Sequence, residues 1–183
     1  MSAPPAESIV RGAAFEGLLV RLLQPTGRFA EELSAAGYDP RAAPRAEYPR
    51  RVWLACVEIA RRHTYPELPR DEGLRRLGRR FVEALRQTLM GKLLSATLPM
   101  LSPAAVMQRL PKAWANTQPQ LRLLVRELAP RDWSVTFEDR GMLAHFCVGQ
   151  LEAIAALISV RDPRVTLVEQ GPDRCVIRVS WGE

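Results

Sequence analysis

The chain has 183 residues, 47% of them hydrophobic and 25% charged, which fits a single globular domain able to bury a core without disulfides or metal. The net charge is +6, but 24 of the 26 basic residues are arginine and aromatics make up only 7%, not interleaved with the basic residues, so a base-stacking platform for nucleic acid is not favoured. Residues 1–118 carry 18 basic and 11 acidic side chains, whereas residues 119–183 carry 8 and 9. The three cysteines, Cys56, Cys147 and Cys175, are odd in number and form no C-x-x-C pair. That points away from a disulfide framework or zinc knuckle and towards a reducing cytoplasm.

In chain order, residues 1–8 read as a disordered tail. It lacks the basic and apolar regions of a signal peptide. Residues 9–183 read as one domain, with a helical part over 9–118 and a sheet part over 119–183. Phe15 to Leu23 is a short apolar segment ended by Pro25, and Thr26 is placed to cap a second helix that Gly37 ends. Tyr38 to Tyr48 reads as a loop, and Pro49 suits the first turn of a helix over Arg50 to His63. The clearest helix runs from Asp71 to Leu89. Gly91 and Pro99 interrupt the stretch after it, and Ser102-Pro103 starts another helix towards Asn116, with Pro111 inside it.

After Pro119 the hydrophobic period changes to two. Leu121, Leu123 and Val125 alternate, as do Trp133, Val135 and Phe137, then Cys175, Ile177, Val179 and Trp181 after a turn at Gly171. A helix over Gly141 to Ser159 separates the two hairpins. Its apolar run contains Gln150 and Glu152 and is too polar for a membrane span. The expected fold is α+β, with amino-terminal helices packed on a four-stranded antiparallel sheet in the order strand–strand–helix–strand–strand.

Two helices carry the candidate sites. On the Asp71–Leu89 helix, Leu74, Leu77, Gly78, Phe81 and Leu85 share one side, while Arg75, Arg76, Arg79, Arg80 and Arg86 share the other with Glu83. The basic side reads either as a solvated face or as a docking face for an acidic partner, lipid or nucleic acid. Gly78 in the apolar side calls for close approach of another backbone. The Gly141–Ser159 helix is apolar or small all round, so it should be covered on two sides, by the amino-terminal helices or by a second subunit in a homodimer. Gln150 points into its apolar stripe. Gly78, Phe81, Phe146, Gly149 and Gln150 are therefore candidate lining for a small apolar ligand.

No known catalytic motif or phosphate-binding loop is present. Cys56 and His63 lie roughly 10.5 Å apart along their helix, too far to share an ion, and His145 and Cys147 diverge. No catalytic residue, metal site or cofactor is expected.

Val10-Arg11-Gly12-Ala13-Ala14-Phe15-Glu16-Gly17-Leu18, then Leu77-Gly78-Arg79-Arg80-Phe81 with Thr88 and Gly91, and Ile177-Arg178-Val179-Ser180-Trp181 together resemble an uncharacterised family of paralogous proteins known mainly from myxobacteria. That family carries no established activity. The layout is also similar to the ligand-binding fold of four-vinyl-reductase domains, vesicle-tethering transport subunits and haem–nitric-oxide sensors, whose members bind hydrophobic ligands or assemble through their helices. The sensors use a Tyr-x-Ser-x-Arg run for the haem propionates, and none of Tyr38, Tyr48 or Tyr65 begins one. The resulting expectation is a non-enzymatic signalling sensor or adaptor that binds a partner protein with an acidic surface, or a small apolar ligand. A nucleic-acid-binding protein using the Arg-rich helix and an enzyme with an unrecognised site are the alternatives.

Overall fold

The structure, a computed structural model, describes residues 8–86, 101–138, 141, 143–158 and 160–183. Residues 1–7, Thr88, Gly91 and Pro99, and the end of the predicted Asp71–Leu89 helix, lie outside the described residues.

Strand β1 (Ile9–Arg11) leads into helix α1 (Gly12–Phe15), which continues as a π-helical segment over Glu16–Leu23. The Gln24 amide donates to the Leu19 carbonyl at 2.8 Å, five residues back, and Pro25 stops further winding. Helix α2 spans Gly27–Ala35. Thr26 stands at its amino-terminal cap, but its side chain makes no capping bond. Strand β2 (Glu47–Pro49) pairs antiparallel with β1, so the predicted loop over 38–48 ends in a strand. Three residues are too few to show a period of two. Helix α3 (Arg50–Thr64) begins just after Pro49, and α4 spans Arg70–Arg86. Helix α5 (Pro103–Ala115) is capped by the Ser102 hydroxyl, which accepts from the Ala105 amide at 3.2 Å, and Pro111 lies inside it.

The carboxyl-terminal part follows the expected order: β3 (Arg122–Ala129), β4 (Asp132–Glu138), α6 (Ala144–Leu157), β5 (Arg164–Gln170) and β6 (Arg174–Ser180). All pairings are antiparallel and the strand order is β3-β4-β6-β5. The last strand is thus central and the two edges are β3 and β5. Each edge strand carries a register irregularity, between Glu127 and Ala129 in β3 and between Leu167 and Glu169 in β5. Such bulges twist an edge and discourage further pairing.

Two cores form. The helical core gathers around Phe15, whose ring lies 4.4–5.1 Å from those of Tyr38, Tyr48 and Trp53. The sheet core joins Met107, Leu110 and Trp114 of α5 to the inner face of the sheet, including Val135, Phe137 and Ile177. Helix α6 contributes to both, with Phe146 in the helical core and Cys147, Val148 and Leu151 in the sheet core. Of the two coverings that its composition allowed, the amino-terminal helices supply the second side. Among the described residues no helix is long and apolar enough to cross a membrane.

Candidate functional site: the crossing of α4 and α6

Helix α4 lies across α6 with backbone against backbone. A Cβ at Gly78 would stand 2.1 Å from the Phe146 carbonyl oxygen, and one at Gly149 would stand 1.9 Å from the Arg75 carbonyl oxygen. Two glycines facing each other across a helix pair permit this approach, since any side chain at either position would hold the backbones apart. The requirement read from Gly78 alone is met, and Gly149 supplies its counterpart.

The five residues expected to line a ligand pocket do converge here. Gly78, Gly149 and Gln150 are in the crossing itself, with the Gln150 backbone nitrogen 3.1 Å from the position of a Gly78 Cβ. Phe81 and Phe146 flank it with ring centroids 5.8 Å apart, and both approach Trp53, at 5.9 and 6.2 Å. Direct helix contact, rather than open space, joins Gly78 to Gly149. Trp53 was not singled out from sequence, and only its apolar position on α3 could have signalled it.

The basic side of α4 divides into two parts. Arg75 and Arg79 both reach Glu152 of α6: Arg75 Nε donates to Oε1 at 2.8 Å and Arg79 Nε donates to Oε2 at 2.5 Å. Glu152 is only 15% exposed, while the two arginines keep 37% and 42%. Burial raises the carboxyl pKa, but hydrogen bonds and charge attraction from Arg75 and Arg79 outweigh it and hold the group below its ordinary value. The Glu152 hydrogen bond, chiefly, raises the pKa of Arg75. Glu83, the acidic residue read on this face from sequence, is not its only balance, because Glu152 arrives from another helix and Glu72 binds Arg76 at 2.8 Å. A helical wheel of α4 contains no information about α6. Arg76 is exposed and Arg80 half-buried. The side chain of Arg86 lies outside what is described.

The remaining candidates for chemistry do not converge. His63 stacks on Phe29 at 4.6 Å and sits 3.4 Å from Glu32, in an open notch with Arg28 and Arg62. His145 is 3.3 Å from Asp71. Cys56, Cys147 and Cys175 are buried free thiols whose pKa values burial raises, to about 12 for Cys56 and about 11 for Cys175. Thiols in that state are poor nucleophiles. Among the described residues no group of three His, Cys, Asp or Glu side chains could hold a metal ion.

Solved structures with this fold exist. The chain is similar to a protein described as a Cs H-NOX mutant, at 13% identity and TM-score 0.69, covering 94% of this chain and 97% of that one. It is similar to an oxygen-binding H-NOX domain related to soluble guanylate cyclases, at 13% identity and TM-score 0.68, covering 94% and 95%. It is likewise similar to an H-NOX protein from S. oneidensis in the Fe(II)NO ligation state, at 11% identity and TM-score 0.69, covering 94% and 99%. At these identities the likeness establishes the fold. No curated protein matches the sequence. The model of one family, DUF2378, described as a protein of unknown function, matches residues 7–182, and the chain belongs to that family.

Proposed function

We propose that the chain is a non-enzymatic sensor or adaptor domain in which α6 conveys an event at the helical part to the sheet part. The observation that supports this reading is the double membership of α6. One side of the helix is packed and ion-paired against α4, and the other is packed into the sheet core. A displacement of α4 is therefore resisted by close-packed contacts that reach the strands. The glycine contact occupies the place where the apolar ligand was expected, which favours a protein partner with an acidic surface. The accessible part of the α4 basic side, at Arg76 and Arg80, is a docking face for such a partner. Buried, protonated thiols accord with a reducing cytoplasm.

Structural neighbours bind haem or its gas ligands, and a histidine-ligated haem does not fit the described residues of this chain. Haem iron takes an axial His, Cys, Met or Tyr. The chain has two histidines, and both are turned to surface carboxylates rather than into either core. The Tyr38 hydroxyl is pushed up to about 12, chiefly by burial, and its ring packs on Phe15. No step of the proposed function runs through haem.

Hydrogen exchange tests the coupling. Glu152→Gln weakens the clamp, and amide exchange should quicken in α4, α6 and the neighbouring strands β5 and β6 together. Faster exchange confined to α4 would sink the coupling. Native mass spectrometry of the freshly purified chain tests the occupant, since a stoichiometric copurified small apolar molecule would displace the protein-partner reading.

A further inference from the structure

The outer face of the sheet carries a regular pattern of arginine and apolar residues. Alternation along the strands turns Trp133, Val135, Cys175 and Ile177 inward. The opposite face, at Arg122, Leu124, Arg126 and Arg178, is exposed to solvent. Pairing aligns three rows across β3, β4 and β6: Arg122, Glu138 and Arg174; Leu124, Thr136 and Val176; Arg126, Ser134 and Arg178. Strands β3 and β6 thus present the same outward sequence, Arg-x-apolar-x-Arg, in register on either side of β4. Successive outward residues are about 6.7 Å apart along a strand, and β3 and β6 are separated by roughly 9.5 Å. Four guanidinium groups stand around the central row of Leu124, Thr136 and Val176.

That centre is unusual for a solvated face. Leu124 is 42% exposed, and beyond β6, in the bulge of β5, Val168 is 61% exposed. The charge is also uneven. Residues 119–183 carry 8 basic and 9 acidic side chains in all, yet the outer face holds five arginines (including Arg164) against Asp132, Glu138 and Glu169. Three of the corner arginines are held by those carboxylates: Arg122 to Glu138 at 3.1 Å, Arg174 to Glu169 at 2.8 and 2.7 Å, and Arg178 to Asp132 at 2.8 and 2.5 Å. Each pair orients its guanidinium while leaving other N–H donors free, because the group has five. Arg126 makes no ion pair among the described residues.

We propose that this outer face docks an acidic protein segment whose carboxylates lie on both sides of an apolar residue, in the spacing Glu-x-Leu-x-Glu. Carboxylates meet the arginine rows, and the apolar side chain covers Leu124 and Val176. Charge complementarity selects the partner, and the apolar row sets its register. This surface is separate from the α4 face, so either can fail alone.

The test uses the full chain and a labelled peptide repeating Glu-Ser-Leu-Ser, followed by fluorescence anisotropy. The expected result is a dissociation constant in the micromolar range, about tenfold weaker for Arg126→Glu and for Leu124→Ser. Both are exposed positions, and circular dichroism should show an unchanged fold. The same peptide with Lys in place of Glu should not bind. The face is refuted as an acidic-segment site by absence of peptide binding, or by equal binding to Arg126→Glu. Loss on Arg76→Glu instead would place the acidic partner on α4 and overturn the sheet proposal alone. Displacement of the peptide by duplex DNA, with the steep salt dependence of phosphate contacts, would assign the face to nucleic acid and overturn it as well.

Discussion

Replacing Gly149 with alanine probes the junction most directly. The added Cβ would lie 1.9 Å from the Arg75 carbonyl oxygen, 2.8 Å from its carbon and 3.0 Å from the Arg79 amide nitrogen. It is about 1.5 Å short of ordinary contact at 3.4 Å, and every obstructing atom is backbone, so no rotamer change relieves it. Alanine favours a helix interior over glycine by about 1 kcal/mol. Overpacking a close contact costs typically about 1–3 kcal/mol and occasionally more. Here the helices must part and stretch the Glu152 clamp as well, so a net loss of about 2 kcal/mol is expected. For a chain of this size that lowers the thermal midpoint by roughly 4–8 °C. Gly73→Ala, in the first turn of α4, is the matched control. Its Cβ would meet Arg61 Cδ at 2.8 Å and Cγ at 3.0 Å, side-chain atoms that can shift where backbone cannot. This variant should lose less stability than Gly149→Ala. Thermal and urea denaturation followed by circular dichroism read both. A Gly149→Ala midpoint equal to the parent's would show that the helices separate without cost, and the rigid-junction argument would fall.

Three further outcomes are expected. The lowered pKa of Glu152 contributes stability that is present above its unfolded value near 4.5 and lost as pH falls through the folded value. Glu152→Gln should therefore show a shallower acid-side decline in urea stability than the parent, and parallel curves would refute the assignment. Truncation before Arg174 removes β6, which pairs with both β4 and β5, so the chain should fail to give a cooperative melt. Finally, Arg75→Gln with Arg79→Gln leaves a mostly buried carboxylate without its partners and should cost about 1–3 kcal/mol. Arg76→Gln with Arg80→Gln should stay within about 0.5 kcal/mol of the parent, and equal losses in the two pairs would contradict the division of this face.

Much of the architecture follows from local pattern. The two hairpins are legible because one face of each strand is buried, which imposes a period of two on residues such as Trp133, Val135 and Phe137. Helix α4 is legible because a surface helix divides its residues by period 3.6, and α6 because its lack of a charged face demands cover on two sides. The need for a backbone neighbour at Gly78 is likewise local, since glycine disfavours a helix interior unless something requires it. The short β1–β2 ladder escapes because each strand has three residues and is specified by its partner.

The sequence alone therefore determined the fold class, the strand order along the chain and the faces that had to be buried. Tertiary structure decided which groups met. Gly78 met Gly149, so a presumed pocket became a contact, and Arg75 and Arg79 met Glu152, so part of a presumed docking face became a clamp. The outward rows of β3 and β6 came into register only because β4 lies between them. The physical reason is range: periodicity reports whether a side chain faces water or protein, while charge pairing and backbone contact depend on residues more than seventy positions apart, which local pattern cannot join.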